Sequence, residues 1–174
     1  TDLCHLYMML GIIYMEIENI QSASDTFQLF YEHFRRFPES QYATFVSYNL
    51  VTCLDNILHN KFDLALTNIE TMKTNIHEYF DTEDNKHITF FSMLEAMKGF
   101  ILERQGRYAD ALECHTESYH ILGKNLPSTH PLKFASLFGI ISNYCVRGQL
   151  DNAYLCLQQA TYIQSHSVPQ EHYL

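Results

Sequence analysis

The chain has 174 residues, 47% hydrophobic and 18% charged, which supports a packed domain and excludes a disordered segment. Only 6 Gly and 4 Pro punctuate it, too few for the many turns of an all-β sandwich or barrel. With 11 Lys+Arg against 20 Asp+Glu the formal net charge is −9, and no basic cluster is longer than Arg35-Arg36, so no nucleic-acid partner is expected.

The first predicted element is a helix over 2–17. Leu3, Leu6, Tyr7, Leu10, Ile13, Tyr14 and Ile17 recur at three- and four-residue steps and fill one arc of the wheel. Met8, Ile12 and Met15 fill a second arc. A helix apolar on two faces needs cover from a neighbouring repeat, from a preceding repeat outside this sequence, or from a partner. Leu3 to Ile17 is too short for a membrane span, is interrupted by His5 and Glu16, and lacks the flanks of a signal peptide. The sequence starts inside a helical pattern, so it is expected to be a piece of a longer protein.

Further helices are predicted over 20–36, 42–58, 62–79, 85–104, 108–122, 131–146 and 150–165. Pro38 follows the second. Asp81-Thr82-Glu83-Asp84-Asn85 is a polar break with several possible N-caps. Gly106 and Gly148 fall in tight turns, where a positive φ is easiest for glycine. Pro127 and Pro131 bracket the loop before the seventh helix, and Pro131 suits its first turn.

The elements repeat. A turn followed by a small residue occurs at Asn19-Ile20-Gln21-Ser22-Ala23, Lys61-Phe62-Asp63-Leu64-Ala65, Arg107-Tyr108-Ala109-Asp110-Ala111 and Gln149-Leu150-Asp151-Asn152-Ala153. The alanines are spaced 65−23 = 42, 111−65 = 46 and 153−111 = 42 residues apart, the length of one supersecondary unit. Within these units Tyr7-x2-Leu10-Gly11-x2-Tyr14 is followed by Ala23-x3-Phe27. Gly99, Gly106, Tyr108 and Ala111 keep the same spacing, as do Tyr144, Gly148, Ala153, Leu157 and Ala160. The second unit is degenerate: it keeps Phe62 and Ala65, but Cys53 takes the small position and Asn56 replaces the tyrosine.

On these residues the sequence resembles the tetratricopeptide repeat (TPR) family. Its long repeats, and the stretch from Leu122 to Pro131 with Gly123-Lys124 and His130-Pro131, are similar to the kinesin light chain type. The resemblance implies an all-α fold, a right-handed α-solenoid of four antiparallel helix hairpins. It implies one domain over 1–174, with repeats at 2–38, 42–80, 85–124 and 131–165. Small residues (Gly11, Gly99 and the four alanines) are expected where helices cross, with Tyr14, Phe27, Tyr108 and Leu157 filling the space beside them. One departure is plain. Where kinesin light chain repeats carry paired asparagines, this chain has Met8-Met9, Leu50-Val51, Ala96-Met97 and Phe138-Gly139, so a mode that holds an extended peptide by its backbone is not expected.

In such a fold the first helix of each pair lines a concave groove. Carried over residue by residue, the partner-binding positions are His5, Met8, Ile12 and Met15; Leu50, Leu54 and Ile57; Met93, Phe100, Glu103 and Arg104; and Phe138, Ser142 and Cys145. The set is mostly apolar and lacks a Lys/Arg cluster for a terminal carboxylate. Either it receives a helix or extended segment of another protein, or it is buried by packing and by further repeats. The expected role is a protein–protein interaction scaffold or adaptor. The alternatives are a constitutive subunit of a large assembly and a regulatory domain attached to a catalytic domain elsewhere.

No catalysis, cofactor, metal, membrane or small-molecule substrate is expected. The 10 histidines offer no ligand spacing: His115 and His120, five apart, diverge by about 140° on a helix. Asp81, Glu83 and Asp84 read as caps rather than an acid–base pair. The 5 cysteines, an odd number without paired spacing, read as reduced thiols of an intracellular protein, cytoplasmic or nuclear.

Overall fold

A computed structural model describes residues 2–36, 41–75, 85–130 and 132–167. They form eight helices and, among the described residues, no strand: α1 (Asp2–Glu16), α2 (Ile20–Arg36), α3 (Gln41–Leu58), α4 (Phe62–Asn75), α5 (Asn85–Arg104), α6 (Tyr108–Asn125), α7 (Lys133–Val146) and α8 (Leu150–Ser167). The all-α, TPR-like reading holds. The calls at Pro38, at the 81–84 break, at 76–79 and at Pro131 lie outside the described residues. Helix α6 runs to Asn125 rather than 122, because Leu126 N–H still reaches Leu122 O at 2.9 Å and the Asn125 side chain caps Ile121 O at 2.7 Å.

The chain divides into two compact units, Thr1–Tyr79 and Phe80–Leu174. Each contains two antiparallel hairpins, α1–α2 with α3–α4 in the first and α5–α6 with α7–α8 in the second.

All four hairpin turns close in one way. Glu18, Asn60, Gly106 and Gly148 take φ values of 56, 56, 75 and 70°. In the first turn the Glu18 N–H bonds Met15 O at 3.1 Å and the Asn19 N–H bonds Tyr14 O at 2.9 Å. The same pair of bonds recurs at Asn60 and Lys61, at Gly106 and Arg107, and at Gly148 and Gln149. This is a helix end satisfied by a left-handed residue, which frees the chain to reverse. The turn residues carry the same spacing as the alanines, so one local geometry sets the period.

After each turn the alanine packs where the two helices approach: Ala23, Ala65, Ala111 and Ala153 are all buried. Four residues further on stand Phe27, Ile69, His115 and Leu157. The first three are fully buried, but Leu157 is 50% exposed and Tyr108 is also exposed. The expectation that Tyr108 and Leu157 fill crossings is therefore corrected: Tyr108 opens α6 on its solvent side, and Leu157 lies on the outward face of α8.

The core of unit 1 is aromatic. Phe27, Phe30, Phe34 and Val51 form a buried cluster, with Phe30 and Phe34 stacked at 5.5 Å. In unit 2 Leu137, Ala160 and Ile163 form a smaller cluster, joined by Tyr119, Ile141 and Cys156. The connection into α7 is pinned by a buried lysine. Lys133 Nζ donates to Leu126 O at 3.0 Å, and burial pushes its pKa down.

Candidate functional site

The sequence-derived positions separate by unit. In unit 1, Met8, Met15 and Leu54 pack against the phenylalanine cluster, half-buried. Ile12, Leu50 and Ile57 are also half-buried. The side chain of His5 lies outside the described residues. The apolar face that α1 leaves in solvent is the other arc: Leu6, Leu10, Ile13 and Ile17 are exposed.

In unit 2 two of the positions, Met93 and Phe100, line one cleft. A cleft of about 220 Å³ opens along α5, with walls from Met93, Ala96, Met97 and Phe100, a floor from Ser118 and Leu122 of α6, and a far side from Leu132 and Ser136. Met93 is half-buried and Phe100 exposed. Phe138 is 59% exposed and stands one repeat after Ala96, on the corresponding face of α7. Ser142 is half-buried, while Arg104 and Cys145 are exposed.

Two polar clusters of unit 2 were not legible in the sequence. The first is a chain of hydroxyls. Ser118 Oγ lies 2.9 Å from Ser92 Oγ and 2.7 Å from Ser136 Oγ. Ser118 also donates to Ser92 O at 2.9 Å, and Ser92 returns a bond to Ser118 O at 3.1 Å. All three serines are buried. Small side chains that satisfy one another let α5, α6 and α7 approach closely without an orphaned group.

The second cluster centres on His115, which is 0% exposed. Its ring occupies the place that Phe27 holds in the first hairpin. A methyl on Gly99 would stand 2.6 Å from its Nε2, and one on Gly139 would strike the same ring. Both positions therefore require glycine. Phe100 packs edge-on against the ring, centroids 4.8 Å apart. His115 Nε2 donates to Glu103 Oε1 at 3.2 Å, and Asn143 Nδ2 donates to the same oxygen and to Gly139 O at 3.0 Å. His115 Nδ1 and Asn143 Oδ1 have no hydrogen-bond partner among the described residues. Glu103, a groove position by sequence, is thus held by α6 and α7. The signal available in the sequence was a histidine where the repeat pattern has a large apolar residue.

Among the described residues no three His, Cys, Asp or Glu side chains converge as a metal site. No helix of the described residues is long and apolar enough to cross a membrane. Among the described cysteines Cys53 is buried, with its pKa pushed up to about 12 by desolvation; Cys114 and Cys156 are half-buried; and Cys145 is exposed.

No family model matches the chain, and no curated protein does. Solved structures do. A Podosopora anserina kinesin light chain-type protein with nearly identical TPR-like repeats superposes with a TM-score of 0.62 at 18% identity, over 97% of this chain and 78% of that one. A point variant of that protein gives 0.61 at 18% identity, over 99% and 81%. The apo form of RapI gives 0.62 at 12% identity, over 95% of this chain, which spans only 57% of RapI. At these identities the likeness is one of fold: the chain is a TPR-like repeat protein.

Proposed function

We propose that this chain is a protein-interaction scaffold that holds a segment of a partner protein against the first helices of its hairpins. The observation that carries the reading is the apolar cleft on α5, walled in part by the exposed ring of Phe100, together with the exposed ring of Phe138 on α7. Large apolar groups left in water on a face that also has a cavity favour burial against something else. Kinesin light chain-type paired asparagines are lacking, so the segment is held by side chains entering apolar space rather than by its backbone. The reading is of binding, not catalysis, and the free thiols suit an intracellular setting, cytoplasm or nucleus.

The test is affinity capture from a lysate with the wild-type chain beside a Phe100→Glu/Phe138→Glu variant. Both sites are exposed, so the variant should keep its helicity. Loss of a captured protein by the folded variant supports the reading; identical captures by both overturn it.

A second reading, a constitutive subunit of an assembly, is favoured by α8. Leu150, Tyr154, Leu155, Leu157 and Tyr162 are each at least 50% exposed on that one helix. A subunit of this kind would aggregate when expressed alone, whereas an adaptor would stay monomeric in sedimentation.

A further inference from the structure

Resting on the scaffold reading, we infer that the α5 cleft recognises a basic segment of a partner protein, with one large apolar side chain in the cavity and a Lys or Arg close by on Glu103.

The cavity fixes the first half. About 150 Å³ of apolar space accepts a benzene ring, so a cleft of about 220 Å³ accepts one side chain the size of Leu, Met or Phe. Its serine floor is already satisfied by its own hydrogen bonds, so the cavity asks for no polar group.

Glu103 fixes the second half. It follows Phe100 by one helical turn, a rise of about 4.5 Å, and Phe100 walls the cleft. Oε1 accepts from both His115 and Asn143, but Oε2 accepts no hydrogen bond from a described residue. The side chain is only 17% exposed. His115 and Asn143 thus take one carboxylate oxygen of Glu103 and leave the other for a partner. Arg104, the next residue, is exposed and makes no ion pair with a described residue. A carboxylate already oriented by two donors loses little side-chain freedom when a cation arrives, unlike an ordinary surface glutamate. The chain's net charge of −9 draws basic segments towards it.

The probe is a phage-displayed library of random 16-residue peptides, with the full 174-residue chain as bait. Selected peptides are then synthesised and titrated by fluorescence anisotropy. The variants are Glu103→Gln, which keeps an oxygen for His115 and Asn143, and Met93→Glu, which puts a charge in the cleft; both are checked by thermal melting. Selected peptides should pair an apolar residue with a Lys or Arg within four positions. Changing that basic residue to Gln should weaken binding to the wild type by about tenfold, as expected for a charged hydrogen bond. The same change should leave binding to Glu103→Gln unaltered. Peptides that lose affinity for Met93→Glu but are indifferent to Glu103→Gln overturn the cation inference and leave the scaffold reading standing. Peptides that bind Met93→Glu as well as wild type, or no selected peptide at all, overturn both.

Discussion

Phe27 and His115 hold the same place in two hairpins, four residues after the buried alanine and beneath a glycine of the preceding helix. In unit 1 the ring is apolar and joins three further buried residues in a continuous cluster. In unit 2 the ring is polar, lies under two glycines, and is tied by hydrogen bonds to α5 and, through Glu103, to α7. One backbone solution thus carries two kinds of core. The first stabilises by burying area. The second fixes where a carboxylate stands, one helical turn beyond Phe100, which walls the cleft.

The sharpest way to break the comparison is to change both rings. Phe27→Ala should destabilise unit 1 by about 3–5 kcal/mol, the usual loss for a buried phenylalanine. His115→Phe should cost far less, because an aromatic ring is retained while Glu103 can turn its freed oxygen towards water. Chemical unfolding, followed by helicity, checks both. A His115→Phe variant as damaged as Phe27→Ala would mean that the hydrogen bonds, not the ring, hold unit 2.

Next in size are the glycines above the rings. Gly139→Ala should cost about 1–3 kcal/mol by overpacking, because the His115 ring below is held by Glu103 and Phe100 and cannot swing aside. The combination Gly139→Ala/His115→Ala should recover much of that loss. If the double variant is no better than the sum of the single changes, the clash is not the cause.

These residues also show what was legible in the sequence. The alanines, Gly11, Gly99 and the turn glycines announced the repeat, because each answers a local demand of backbone conformation or close approach. The partnership of Glu103, His115 and Asn143 did not show, because it joins positions 12 and 40 residues apart on three helices. Carry-over from the family it resembles placed Glu103 on the groove but could not show that one of its oxygens was taken. Met8 and Met15 were assigned to the same groove by carry-over. The structure packs both, half-buried, against the aromatic cluster of unit 1.

A smaller effect sharpens the turn comparison. The unit 2 turns use Gly106 and Gly148, whereas unit 1 puts Glu18 and Asn60 in the same left-handed conformation. For an ordinary side chain that conformation costs about 1–2 kcal/mol, and asparagine tolerates it better. Glu18→Gly should therefore stabilise unit 1 by up to about 1 kcal/mol, after the added freedom of glycine in the unfolded chain is subtracted. Asn60→Gly should gain less. Equal gains, or none, would show that the turns are not strained.

The smallest perturbation is chemical. Cys53 and Cys145 belong to different units, one buried and one exposed. Alkylation proceeds through the thiolate, and burial holds the Cys53 thiol up at about 12 against an ordinary 9.0. Iodoacetamide at pH 8 should therefore label Cys145 quickly and Cys53 only when unit 1 opens. The raised pKa also has a sign for stability. Above pH 9 the unfolded chain releases the Cys53 proton while the folded chain keeps it, so unit 1 should lose stability as pH climbs from 9 towards 12. Mass spectrometry of the labelled chain across pH 7–10 should thus show Cys53 labelling rising more steeply than Cys145. The Cys53 rate follows the opening of unit 1, whereas the exposed Cys145 needs no opening. Parallel slopes would mean that burial does not hold the Cys53 thiol up, which its buried place beside Ala65 O, 3.6 Å away, argues against.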